Sequence, residues 1–255
     1  YNVMTEDEIQ KINKFCERYQ IMSYTINDDE LSDDYGSIDV DGTVYLVRID
    51  ITKFPIKFNK VTGDFNCYSS ALTTLEGGPK YVGGNFDCAT NKLTDLKGSP
   101  LEVGGSFTCY QNKLTDLKGS PKEVGGDFNC QENKLTSLEG SPKEVGRDFN
   151  CYSNKLTSLS NGPENVGGNF DCTENNIYNL KGLETKIKQY LTLDYNPIGI
   201  LFTDLEGDII NSFISFKVIN ERELNIKRLK YFLHTFGLDT SIHYDKLKDK
   251  YTIKN

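Results

Sequence analysis

FNCQENKLTSLEGSPKEVGRDFNC, residues 128–151, begins and ends on the same triplet, and the distance between its two cysteines sets the period of the chain. Outward from it the triplet recurs as Phe107-Thr108-Cys109, Phe86-Asp87-Cys88 and Phe65-Asn66-Cys67 on one side and Phe170-Asp171-Cys172 on the other, each step 21 residues. A fixed period of this size is the mark of a solenoid, in which one small unit stacks on copies of itself. Read from Pro79, the unit is Pro-x-x-Val-Gly-Gly-x-Phe-x-Cys-x-x-Asn-x-Leu-x-x-Leu-x-Gly-x.

Each column of that unit has a physical reading. Phe and Cys alternate with polar residues, the pattern of a strand with one buried face. Leu93, Leu114, Leu135, Leu156 and Ile177, and three residues further on Leu96, Leu117, Leu138, Leu159 and Leu180, complete a continuous apolar core. The Asn column (Asn91, Asn112, Asn133, Asn154, Asn175, Asn196, with Ser70 in the first unit) is expected to bond backbone groups of its own turn and the next. The Gly-Gly pairs supply a tight turn before each Phe strand, and the prolines keep the return path extended. Degraded units at Val44-x-Leu46 and Leu191-x-Leu193 bring the expected number of strands to eight.

The ends of such an array must be covered. Thr5-x-x-Glu8 is a capping box ahead of Ile9, Ile12, Phe15, Cys16 and Tyr19, which predicts a helix over about 6–19. Ile38-Asp39-Val40 predicts a short strand. Asp208, and then Asn220-x-x-Glu223, precede apolar helical patterns, the second closed by Gly237. The organisation expected is an N-terminal cap over 1–43, a solenoid over 44–207 and a helical C-terminal cap over 208–255.

Cysteines at one position of adjacent parallel strands lie ~4.8 Å apart and point the same way, whereas disulfide-bonded Cβ atoms converge to ~3.8 Å. Free thiols are therefore expected, and with them a cytoplasmic location. The start Tyr-Asn-Val-Met-Thr-Glu lacks the basic and apolar regions of a secretory leader, and no apolar run is long enough for a membrane helix. The net charge of −8 is concentrated in residues 1–43, and no basic stripe is evident, so nucleic acid is not an expected partner.

No catalytic constellation emerges. His234 and His243 both stand in the C-terminal region, away from any Cys or Asp pair at ligand spacing. The cysteine column has no His or Lys beside it to activate a thiol. Asp39-x-Asp41-Gly42 is similar to the centre of a calcium loop but lacks its other ligands and reads as a turn. The Gly-Gly pairs open no helix and so make no phosphate cradle. No metal, cofactor or enzymatic activity is expected.

What remains is the outward surface of the Phe-x-Cys strands. It is rich in acids and tyrosines and free of Lys and Arg. The candidate binding residues are Asp64, Tyr68, Asp87, Tyr110, Asp127, Glu132, Asp148, Tyr152, Asp171, Tyr190, Asp194 and Tyr195. Short polar side chains alone would solubilise such a sheet. Tyr68, Tyr110 and Tyr152, however, fall on every second strand of one column, and tyrosine is enriched at binding hot spots. Acids beside exposed tyrosines suit a protein partner with a basic surface patch.

Phe86-x-Cys88-x-x-Asn91-x-Leu93-x-x-Leu96 resembles the leucine-rich repeat, with Phe and Cys in place of two leucines. The short unit, with Pro before the strand, resembles the class found in bacterial effectors, and residues 135–151 and 38–44 are similar to 21-residue-repeat proteins of tailed bacteriophages. The resemblance spans roughly residues 38–200. It implies an α/β solenoid, a leucine-rich-repeat array with parallel strands on its concave face, an N-terminal helix and strand cap and a helical C-terminal cap. It further implies a phage-encoded, non-enzymatic scaffold that binds, and inhibits, a host bacterial protein such as an antiviral defence factor. A structural or virion-associated assembly module is the alternative, and a small-molecule sponge ranks below both.

Overall fold

The computed structural model describes residues 3–238 and 241–255. Its centre is a β-solenoid in which every 21-residue coil contributes two short strands to two different sheets. One sheet is built from the Phe positions, such as Phe86–Asp87, Phe107–Thr108 and Phe128–Asn129. Its eight parallel strands run from Val44–Tyr45 to Tyr190–Thr192. The other is built from the residues before the glycine pair, such as Tyr81–Val82, Glu102–Val103 and Glu123–Val124. We call them the phenylalanine sheet and the valine sheet.

This corrects the α/β expectation. From Val44 to Asn196 the coils contain no helix. The return path through the Leu, Gly and Pro columns is too short and too interrupted for one, because the Gly of Leu-x-Gly is left-handed in Gly77, Gly98, Gly119, Gly140 and Gly182 and each following proline, where present, holds the chain extended. The glycine pairs do turn the chain, but they are required for closeness rather than for a left-handed backbone. A Cβ on Gly104 would run into the Gly83 carbonyl oxygen of the coil before.

The core is a set of columns. The rings of Phe65, Phe86, Phe107, Phe128 and Phe149 stack with centroids 5.2–5.5 Å apart, and Phe170 tilts against Phe149 at 4.9 Å. All six column cysteines are unpaired and buried, and the Cys67 Sγ–H donates to the Asp87 carbonyl of the next coil at 3.3 Å. The Asn column does what its position predicted. Asn112 Nδ2 donates to the carbonyls of Cys88 and Cys109, both at 3.1 Å, while its Oδ1 accepts from Leu93 N at 3.0 Å. A buried amide thus satisfies backbone groups of two coils that would otherwise lack partners.

Antiparallel strands terminate the stack. Tyr24–Ile26 pairs with Ser37–Val40 at the start of the valine sheet, and Asp204–Glu206 pairs with Tyr190–Thr192 at the end of the phenylalanine sheet. Helix α1 (Glu6–Arg18) carries the Thr5–Glu8 capping box and sets Phe15 edge-on to Phe58, with ring centroids 6.3 Å apart.

The C-terminal segment is mixed rather than helical. It combines α2 (Ile210–Ser215), α3 (Ile226–Phe236) and α4 (Tyr244–Lys248) with a three-stranded sheet. Helix α3 starts later than Asn220-x-x-Glu223 suggests, because Ile219–Asn220 and Glu223–Asn225 pair as a hairpin and Asn225 becomes the cap. Gly237 ends it in the left-handed conformation. The segment docks on the last coils through the Tyr251 hydroxyl, which donates to the Tyr178 carbonyl at 2.6 Å, and through Arg222 over the Tyr178 ring.

Candidate binding faces

The predicted site residues stand on the outer face of the phenylalanine sheet and its following corner, but they are neither one cluster nor all free. Asp64, Asp127 and Asp148 each give a carboxylate oxygen to the amide at the same position one coil on, at 2.7, 3.0 and 2.8 Å. Asp87 and Asp171 accept from the amides of Ala89 and Thr173, both at 2.9 Å, closing the turn that leaves the strand. Asn66 and Asn150 make the same bond without a charge. Much of the acidity on this face therefore serves the backbone.

Glu132 is not a strand residue. With Arg48, Ser69, Thr90, Gln111, Ser153, Glu174 and Tyr195 it occupies a left-handed corner, φ +52° to +56°, in every coil. Its carboxylate accepts from Gln111 Nε2 at 2.7 Å, and Gln111 in turn accepts from Thr90 Oγ1 at 3.1 Å.

One true cluster forms. Ala89, fully buried, separates Tyr68 from Tyr110 in their column. Burial first, then the Tyr68 phenol, Asp87 and Glu132, push the Tyr110 hydroxyl's pKa up, which sets these three groups within electrostatic reach of Tyr110. Asp87 is itself raised by burial, opposed only by its bond from Ala89. Tyr152 lies two coils further along, separated by Gln131, whose Oε1 is buried without a hydrogen-bond partner. Tyr190 and Tyr195, both exposed, flank half-buried Asp194 at the far end of the stack, a separate group.

Two further faces carry none of the predicted site residues. The valine sheet carries a groove of about 640 Å³, lined by Lys60, Tyr81, Glu102, Glu123 and Glu144 together with the Val and Gly positions from Val61 to Gly146. The signal was present in Glu-Val-Gly, whose first and third residues face outward, but two residues are too few for an alternation to stand out. The remaining side holds Lys92, Lys113, Lys134 and Lys155, all exposed and in one column. The fold therefore does build a basic row, contrary to the expectation of none.

Buried thiols offer no nucleophile. Burial raises the pKa of all six column cysteines and takes Cys16 to about 11. Among the described residues no group of three His, Cys, Asp or Glu is placed to hold a metal, and no helix is long and apolar enough to cross a membrane. No family model, curated protein or solved structure matches the chain.

Proposed function

We propose that this chain is a non-enzymatic protein-binding scaffold that takes a partner presenting Lys or Arg through the corner formed by Tyr68, Asp87, Tyr110 and Glu132. The observation that carries this reading is Asp87. Its carboxylate is partly buried within electrostatic reach of Tyr110, burial raises its pKa, and it belongs to no ion pair among the described residues. Asn66 and Asn150 fill the same position and make the same turn bond uncharged. The charge at 87 is thus unnecessary to the fold and unfavourable in it. An incoming cation would neutralise it and lie over the tyrosine faces.

The resemblance to phage repeat proteins extends this to a phage-encoded protein that acts in the host cytoplasm and inhibits a bacterial factor such as an antiviral defence protein. The test is capture from bacterial lysate by wild type, Asp87→Asn and Tyr110→Ala. A protein held by wild type and lost by both variants supports the site, a hot-spot tyrosine contributing on the order of 2 kcal/mol. Equal capture by all three removes the site from this corner.

A further inference from the structure

Two rows of like charge run along the solenoid on different sides. Glu102, Glu123 and Glu144 pair in register on the valine sheet. Lys92, Lys113, Lys134 and Lys155 repeat on the return side, each amide bonded to the coil before. Like charges stacked directly opposite one another on a sheet, as the glutamates are, destabilise it, and a column of lysines at the same spacing repels itself likewise. Nothing in the molecule relieves them: among the described residues neither Glu102, Glu123 nor any of the four lysines has an ion-pair or side-chain hydrogen-bond partner, and Glu144 has only the Asn165 amide, at 2.7 Å.

The glutamate row borders the valine-sheet groove, where Gly83, Gly104, Gly125 and Gly146 leave a floor without side chains. Such a trough suits the aliphatic stems of lysines whose ammonium groups reach the carboxylates at its rim. Both rows advance by one strand spacing, ~4.8 Å, per charge. An unrelated surface meets that repeat once or twice. A second solenoid of the same chain meets it at all three glutamate coils, which Tyr81 and Lys60 bound on one side and Asn165 and Lys186 on the other.

We infer that the valine-sheet groove of one molecule receives the lysine row of a second copy of this chain. The inference is independent of the Tyr68–Tyr110 site, which lies on the other sheet. The two surfaces differ, so the contact is heterologous and repeats sideways from molecule to molecule unless the rotation closes a ring. Each exposed pair is weak, so assembly depends on several pairs aligning at once. It is expected to need high protein concentration and to dissolve in high salt, where the screening length falls to about 3 Å at 1 M.

Sedimentation over a range of concentration and salt tests this with two charge-reversed variants. One carries Glu102→Lys, Glu123→Lys and Glu144→Lys, and the other Lys113→Glu, Lys134→Glu and Lys155→Glu. Each alone is expected to remain monomeric, because both of its surfaces then carry one sign, while an equimolar mixture of the two regains association. A wild type that stays monomeric at all concentrations overturns the inference, as does a mixture that fails to associate or a single variant that assembles like wild type. If a triple reversal unfolds the chain, Glu123→Gln and Lys134→Gln serve instead: weakened assembly in both supports the interface, and unchanged assembly in either refutes it.

Discussion

Asp87 and Asn150 hold equivalent positions and differ by a charge, which makes the pair a direct probe of what that charge costs. Burial raises the folded-state pKa of Asp87 above the ordinary carboxyl value. The folded chain therefore binds this proton more tightly than the unfolded one, and stability falls as pH rises through the folded pKa. Asp87→Asn keeps the acceptor for Ala89 N and removes the penalty. It is expected to raise thermal stability at pH 7 by less than about 1 kcal/mol once solvent screening is allowed for. The gain should vanish toward the unfolded carboxyl pKa of about 3.9. Melting curves from pH 3 to 8 would show it, and a variant less stable than wild type at pH 7 would contradict the cost assigned to Asp87. The Asn column was legible at this scale because a buried amide in every unit has few physical uses. The duties of Asp64, Asp127 and Asp148 were not, because an acid on an outward strand position reads equally well as free surface.

The coil is the unit of structure at the next scale, and it holds two strands where one was expected. From Tyr81–Val82 to Lys186–Ile187 each valine-sheet strand is two residues long with a single inward side chain, so its existence depends on pairing with neighbouring coils rather than on its own pattern. The glycine that follows shows how tight that pairing is. Gly104 N donates to Val82 O at 2.9 Å, and no room is left for a Cβ against the Gly83 carbonyl. Gly104→Ala is expected to cost roughly 1–3 kcal/mol, the range for overpacking a close contact. A urea midpoint unchanged by the substitution would mean that the coils separate more easily than their geometry indicates. Helix α1 was readable from Thr5 and Glu8 because its cap is local, whereas the start of α3 moved because a hairpin claimed residues 219–225.

The whole molecule is a stack in which each coil touches its neighbours and little else, so its length is adjustable. Deleting residues 128–148 joins Asp127 to Phe149 and leaves every column in register. The shortened chain is expected to fold, keep its thiols unreactive toward an aromatic disulfide reagent, and lose about 1–3 kcal/mol, the share of one 21-residue coil at ordinary stability per residue. Thiols that react at once in the native buffer would show instead that the stack cooperates beyond nearest neighbours.

By itself the sequence determined the period, the inward columns and the free thiols, since these repeat within every 21 residues and each copy restates them. It also determined that the outward surface of the phenylalanine sheet carries tyrosines and acids. Only the tertiary structure decided that each coil has a second sheet, which carboxylates are occupied by backbone amides, and that separate Lys and Glu positions line up as continuous rows on different sides. The reason is one of range. A column is a property of one coil and can be read along the chain, but pairing, occupancy and the alignment of faces arise where one coil meets the next.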